Sequence, residues 1–204
     1  MSDHYYTQNP EVEEKLKTWE TTLNDLPFKF TTSTGVFSKN DVDFGSRLLI
    51  ETIKKPDIEA PILDLGCGYG PIGLSLAKKH PDTLVKMIDI NERAIKMSKL
   101  NATQNEIANV DIEQSDGFEK MAENDKYSLI VTNPPIRVGK KFIYSLFEES
   151  KKYLHENGEL WIVIQKKQGA TSALKFLKEH FNEVKVESRK KGFFIIRSII
   201  NWLW

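Results

Sequence analysis

Apolar positions recur along this chain in two periods, and the change from one to the other marks its organisation. Val12, Leu16, Trp19, Leu23 and Leu26 are spaced by three and four, one face of a helix, and Asn9-Pro10 ahead of them supplies an N-cap and a first helical residue. Residues 1–27 are therefore expected to form a helical extension packed on a domain spanning 28–204. Residues 28–32 and 35–37 read as short strands around a turn, and 42–53 as a helix. From Ile62 onward, apolar runs near 62–65, 84–89, 110–114, 127–132 and 159–165 alternate with helical stretches near 71–79, 91–104, 140–154 and 170–180. That alternation predicts an α/β fold with a mostly parallel sheet and helices on both faces. The ending differs. Residues 183–188 and 193–197 are joined by Arg189-Lys190-Lys191-Gly192, too short for a parallel crossover, so the last strand should turn back antiparallel. The apolar tail 199–204 reads either as packing on the sheet edge or as a subunit contact.

The bulk numbers narrow the class. The chain has 204 residues, 40% of them hydrophobic, ordinary for one soluble domain with a sizeable core. Lys plus Arg and Asp plus Glu both count 29, so any case for a nucleic-acid partner rests on where the charges fall. A single cysteine excludes an internal disulfide framework. No apolar stretch approaches the length of a membrane span and the first residues lack a signal-peptide pattern, which together point to the cytoplasm.

Candidate chemistry concentrates at the ends of the expected strands. Asp64-Leu65-Gly66-Cys67-Gly68-Tyr69-Gly70 runs from a short apolar strand into a glycine-rich turn, and Pro71 opens the following helix. A dinucleotide site would space its glycines G-x-G-x-x-G and face a pyrophosphate with the helix N-terminus. Here the spacing is G-x-G-x-G and Asp64 stands beside the turn, where a carboxylate repels phosphate and attracts an ammonium. S-adenosylmethionine carries an ammonium and a sulfonium and no phosphate. Asp89 ends the next strand, about twenty residues past the glycines, the place from which a carboxylate holds ribose hydroxyls, a feature that nicotinamide oxidoreductases share and that does not discriminate between the two. Asp116, followed by Gly117, is placed to accept from an adenine amine.

Asn133-Pro134-Pro135-Ile136, closing the run 127–132, suits a different task. An exocyclic amine on guanine or adenine, like the amide nitrogen of glutamine, is conjugated and a poor nucleophile. The Asn133 oxygen and the Pro134 carbonyl can both accept from such an NH2, favouring a pyramidal nitrogen whose lone pair faces an incoming methyl group. The two prolines stiffen the peptide that carries these acceptors. The device is preorganised orientation rather than acid-base catalysis.

Taken in order, these motifs resemble those of class I S-adenosylmethionine-dependent methyltransferases that modify amino groups. Within that class the chain resembles the small-subunit ribosomal RNA guanine-N2 methyltransferases in a short single-domain form. The likeness extends to Thr34-Gly35-Val36-Phe37-Ser38 with Asp43, to Asn133 through Lys140, and to Gln165-Lys166-Lys167-Gln168-Gly169-Ala170, covering about residues 28–198. It implies a Rossmann-like, seven-stranded methyltransferase sheet with its last strand antiparallel. It implies S-adenosylmethionine held by Asp64, Gly66, Gly68, Gly70, Asp89, Asp116, Gly117 and Asn133, with Asn133, Pro134, Pro135 and Ile136 at the transfer site. Many enzymes of this kind place an aromatic residue after the prolines to stack on the target ring; Ile136 stands there instead. Guanine N2, adenine N6 and protein glutamine all remain compatible with such a loop, as does a non-catalytic RNA-binding or assembly module.

Three basic groups follow strand ends: Arg137, Lys140 and Lys141; Lys166 and Lys167; Arg189, Lys190 and Lys191. Ligands of open α/β sheets bind beyond those ends, so the groups would rim the NPPI loop, with Arg137, Lys140 and Lys167 as candidate contacts to RNA phosphates. Lysines also gather in loops for solubility alone. Cys67 reads as a small residue fitting its turn, and Tyr69 as one packing along a ligand. The four histidines lack metal-ligand spacing, so no metal is expected. Ser75 and Ser115 have no His-Asp companions.

Overall fold

The computed structural model describes residues 15–36, 41–135 and 138–201. Its first element corrects the expected N-terminal helix. Leu16–Leu23 is a strand, β1, paired antiparallel with β2 (Leu26–Ser33) along its whole length, so the boundary expected at 27–28 falls inside one hairpin. Asn9, Pro10 and Val12 lie outside the described residues. Trp19, Thr21 and Leu23 are the more buried positions, a period of two, whereas Leu16 is 59% exposed. The turn decides between the periods: Asn24 and Asp25 have φ of 48° and 61°, the two-residue geometry whose twist matches a hairpin. Beyond Ser33, residues 34–36 form a turn in place of the expected short strand, and Phe37 and Ser38 lie outside the described residues.

The hairpin sits on a helix through polar side chains. Asn101 accepts from the Thr31 amide at 2.7 Å and donates to the Thr31 carbonyl at 2.9 Å, while Asn105 accepts from the Lys29 amide at 2.9 Å. Trp19, Phe30 and Tyr69 then meet edge to face beneath it.

The remainder follows the expected alternation: α1 (Phe44–Thr52), β3 (Ile62–Leu65), α2 (Pro71–Lys79), β4 (Val85–Asp89), α3 (Glu92–Gln104), β5 (Val110–Gln114), β6 (Tyr127–Thr132), α4 (Lys140–Tyr153), β7 (Leu154–Gln165), α5 (Ala170–His180), β8 (Glu183–Lys190) and β9 (Phe193–Ile199). Seven strands form one sheet in the order β5-β4-β3-β6-β7-β9-β8, with β9 antiparallel to both neighbours. This is the seven-stranded class I methyltransferase arrangement. The strand order reverses between β3 and β6, the switch point at which such sheets open a crevice. The turn from β8 to β9 is two residues, Lys191 and Gly192, both at positive φ, so both strands reach further than the sequence suggested.

Both faces of β3 and β6 are buried because each covers a separate apolar layer. One layer includes Ile62, Leu129, Val131, Trp161, Val163 and Ile195 under α1, α2 and α3; the other includes Leu63, Ile130, Leu160, Ile162 and Ile196 under α4 and α5. Alternation along each strand therefore sends odd-numbered β7 residues toward α1, which fixes where Gln165 points. Residues 202–204 of the apolar tail lie outside the described residues; Ile200 is buried against the sheet.

Candidate active site

The glycine turn after β3 is shaped by backbone torsions that side chains disfavour. Gly66, Gly68 and Gly70 have φ of 76°, 58° and 98°, and the amides of Gly66 and Cys67 both donate to the Ile88 carbonyl at 2.9 Å. The turn thereby lies over the end of β4. Ser98 and Asn101 of α3 hold it from one side, donating to the Gly68 and Tyr69 carbonyls at 2.8 and 2.7 Å. A Cβ built on Gly66 or Gly68 would meet nothing within 4 Å, whereas one on Gly70 would press on Leu74 at 2.9 Å. The first two glycines face open space and the third packs inward.

That open space is a cavity of about 620 Å³ lined by this turn, the ends of β4 and β6, and the start of α4. Asp89 stands in its wall. One carboxylate oxygen accepts from the Gly68 amide and the other from the Asn91 amide, each at 2.8 Å. Burial pushes its pKa up, opposed by hydrogen bonds from the Asn91, Gly68 and Ile90 backbones. An ionised carboxylate has about four acceptor positions, so these donors leave capacity for a ligand hydroxyl. Asp116 is exposed at the same cavity, beside Gly117.

Asp64 occupies a place the sequence did not foretell. Its side chain is fully buried and absent from the cavity lining; one oxygen accepts from the Gly73 amide at 2.7 Å and the other has no partner. Desolvation, opposed by the Gly73 bond and reinforced by Asp89, pushes its pKa up to about 7. Asp64 therefore braces the start of α2 from behind the turn, and its carboxylate, expected to face a ligand ammonium, does not line the cavity. Cys67 borders the cavity as an inert thiol, its pKa held well above the usual value by burial and by Asp89 and Asp64.

Across the cavity, Asn133, Pro134 and Pro135 follow β6. The Asn133 amide nitrogen donates to Ser46 Oγ at 3.0 Å and lies 3.4 Å from Asp43 Oδ1. Asp43 caps α1 by accepting from the Ser46 amide, so the helix start and the amide are held together. With its nitrogen committed, Asn133 keeps its oxygen as the unassigned end. The sequence named Asp43 without a role and missed Ser46, although Asp43-Phe44-Gly45-Ser46 does read as a cap. Phe44, Phe142 and Phe193 also line the cavity unforeseen, as do Val138 and Gln165, which the sequence named only within longer strings and without a role. Ile136 and Arg137 lie outside the described residues.

The other expected basic residues lie at this end of the sheet, exposed. Lys140 begins α4 and reaches Ser172 at 3.3 Å, beside the turn carrying Lys166 and Lys167. Lys191 lies over the Phe44 ring at 4.8 Å, so the β8–β9 turn leans on the cavity's aromatic wall, while Arg189 lies over Phe194 at 4.7 Å on the other face of the sheet. Among the described residues no group of three His, Cys, Asp or Glu could hold a metal, and no helix is long and apolar enough to cross a membrane.

The chain is 53% identical over 198 residues to uncharacterized protein YbxB of Bacillus subtilis (strain 168), covering 97% of the chain and 98% of that protein. It is 30% identical over 189 residues to ribosomal RNA small subunit methyltransferase C of Psychromonas ingrahamii, covering 90% of the chain but 52% of that relative. The chain thus spans about half the length of that relative. In fold it is similar to the T. thermophilus 16S rRNA N2 G1207 methyltransferase solved in complex with AdoMet and guanosine, with a TM-score of 0.83 at 21% identity, over 94% of this chain and 52% of that one. The model of the methyltransferase small domain matches residues 27–197, and the chain belongs to that family.

Proposed function

We propose that this protein transfers a methyl group from S-adenosylmethionine to the exocyclic N2 amine of a guanine in small-subunit ribosomal RNA. One observation carries the reading: Ser46 and Asp43 fix the Asn133 amide by its nitrogen, at a cavity wall facing a glycine turn that leaves room for a nucleoside. The relatives named small-subunit methyltransferases C and the fold neighbour holding AdoMet and guanosine support the choice of donor and target.

The residues present fit the donor. The cavity lies within the roughly 300–1,000 Å³ usual for small-ligand sites. Gly66 and Gly68 leave their side of it free of side chains, Asp89 retains acceptor capacity for ribose hydroxyls, and Asp116 and Gly117 stand where an adenine would end. When bound, S-adenosylmethionine supplies an electrophilic methyl on a sulfonium. The protein's share is placement. Asn133 Oδ1 and the Pro134 carbonyl accept the two amine hydrogens, drawing the lone pair out of conjugation and along the line of attack. Both bonds strengthen as the nitrogen gains positive charge, so they act mainly on the transition state. Lys140, Lys167 and Arg137 hold phosphates of the RNA around the opening.

Single-turnover transfer of labelled methyl to ribosomal RNA, followed by nucleoside mass analysis, tests this directly. The expected product is N2-methylguanine, and Asn133→Ala should lose roughly 10²–10³ in rate with cofactor binding intact. An Asn133→Ala protein that works at the parental rate would make the loop merely structural.

A further inference from the structure

Ile136 leaves the loop after the prolines without a ring, yet the cavity is not short of aromatic surface. β6, β7 and β9 are adjacent, and Asn133 at the end of β6, Gln165 at the end of β7 and Phe193 at the start of β9 all line the same cavity. Gln165 and Phe193 are direct cross-strand partners, which sets their side chains together on the α1 face of the sheet. The Phe193 ring lies against Gly45, where a Cβ would come within 3.0 Å of it, and it meets the Phe44 ring at 5.5 Å and 50°. Gly45 adjoins Ser46, the residue that anchors Asn133. Lys191 lies over one face of the Phe44 ring, whereas Phe193 lines the cavity directly opposite Gln165 on the neighbouring strand.

Resting on the proposed function, we infer that Phe193 and Gln165 form the target-base subsite: the purine stacks on the Phe193 ring and Gln165 pairs with its polar edge. The placement suits one base edge. Asn133 and Gln165 stand at the ends of the adjacent strands β6 and β7, one strand spacing of about 5 Å apart, so their amides can meet neighbouring groups on the same edge of a purine. The chemistry suits guanine. Beside its amine, guanine presents a ring N–H donor and then a carbonyl oxygen, and an amide side chain offers the matching acceptor and donor. Adenine presents an unprotonated ring nitrogen beside its amine and no carbonyl, so half of that pairing disappears. Phe193 thus replaces, from another strand, the aromatic residue that the NPPI loop lacks.

The test compares wild type, Phe193→Leu, Phe193→Trp and Gln165→Ala for S-adenosylhomocysteine affinity and for kcat and KM on ribosomal RNA. Removing the stacking face should lower kcat/KM for Phe193→Leu by about 5- to 100-fold, mostly through KM. Phe193→Trp should retain most activity, and quenching of its indole fluorescence by guanosine should exceed quenching by adenosine. Gln165→Ala should fall by about 3- to 10-fold, and S-adenosylhomocysteine affinity should stay within about twofold throughout. An active wild type with an unimpaired Phe193→Leu, or a deficit in Phe193→Leu that tracks cofactor affinity, overturns the subsite alone. A wild type that methylates no RNA overturns the functional reading and the subsite with it.

Discussion

Asn133 shows how much of a side chain's placement depends on residues far from it in sequence. Its string with Pro134 and Pro135 is legible, but its orientation comes from Ser46 and Asp43, 87 and 90 positions away, which no local pattern reveals. If that anchor orients the amide, Ser46→Ala should lower kcat several-fold while KM for RNA and cofactor affinity stay near parental, because the missing bond of about 0.5–1.5 kcal/mol acts on the aim of the oxygen. Equal reductions in kcat and cofactor binding would assign Ser46 to the fold instead. Asp64 is legible as part of a motif but not as a buried brace: its burial behind Gly73 depends on α2 packing, again non-local. Its folded pKa of about 7 lies above the ordinary carboxyl value of 3.8, so the folded state holds the proton more tightly. The stability this contributes is fully present below about pH 3.8 and is lost as pH rises through about 7, up to about 4 kcal/mol in all. The difference in unfolding free energy between wild type and Asp64→Asn, measured from about pH 4 to 8, should shift toward the variant as pH rises. A flat difference would remove the buried proton.

At the scale of elements, the glycine turn and its neighbours are legible because backbone torsion there dictates sequence. Gly66, Gly68 and Gly70 need positive φ, Pro71 suits a first helical turn, and α2, α3 and β5 begin within a residue of expectation. The hairpin β1–β2 stands where a helix is expected because Trp19 and Leu23 satisfy a helical period and an alternating one equally. Thr18, Thr21 and Thr22, β-branched, and the Asn24-Asp25 pair carry the signal that separates them. Gly73 belongs to the same scale. It lies inside α2, where alanine would ordinarily gain up to about 1 kcal/mol in helix propensity. A Cβ there would stand 2.8 Å from Asp64 Oδ2 and from the Met87 side chain, closer than any ordinary contact. Overpacking of about 1–3 kcal/mol should win. Gly73→Ala should therefore lower the urea midpoint at unchanged slope; a raised midpoint would mean that Met87 yields without cost.

At the scale of the whole molecule, a protein of zero formal charge can still gather positive charge at one place, as the proposed RNA substrate requires. Because the parallel strands end at one edge and β9 begins there, the loops after β6 and β7 and the β8–β9 turn meet around a single opening, each bringing lysines or arginines. Chain order scatters these residues over more than fifty positions, and only the sheet gathers them, which is why their convergence could be expected from the strand alternation but not from charge alone. Lys86, by contrast, is committed within the sheet to Asp111 and Glu113 at 2.9 and 2.7 Å, and Arg197 to Glu159, Glu183 and Glu187. The lysines at the opening are exposed, so their attraction to phosphate is screened by salt in proportion to the counterions released. Replacing Arg137, Lys140 and Lys167 together with glutamine should flatten the dependence of log affinity on log salt by about 0.7–0.9 for each phosphate no longer neutralised. S-adenosylhomocysteine affinity should be unchanged, since Lys140 and Lys167 do not line the cavity. Titrations of ribosomal RNA at several salt concentrations measure both. A triple variant with the parental slope would show that these three side chains serve solubility and hold no phosphate.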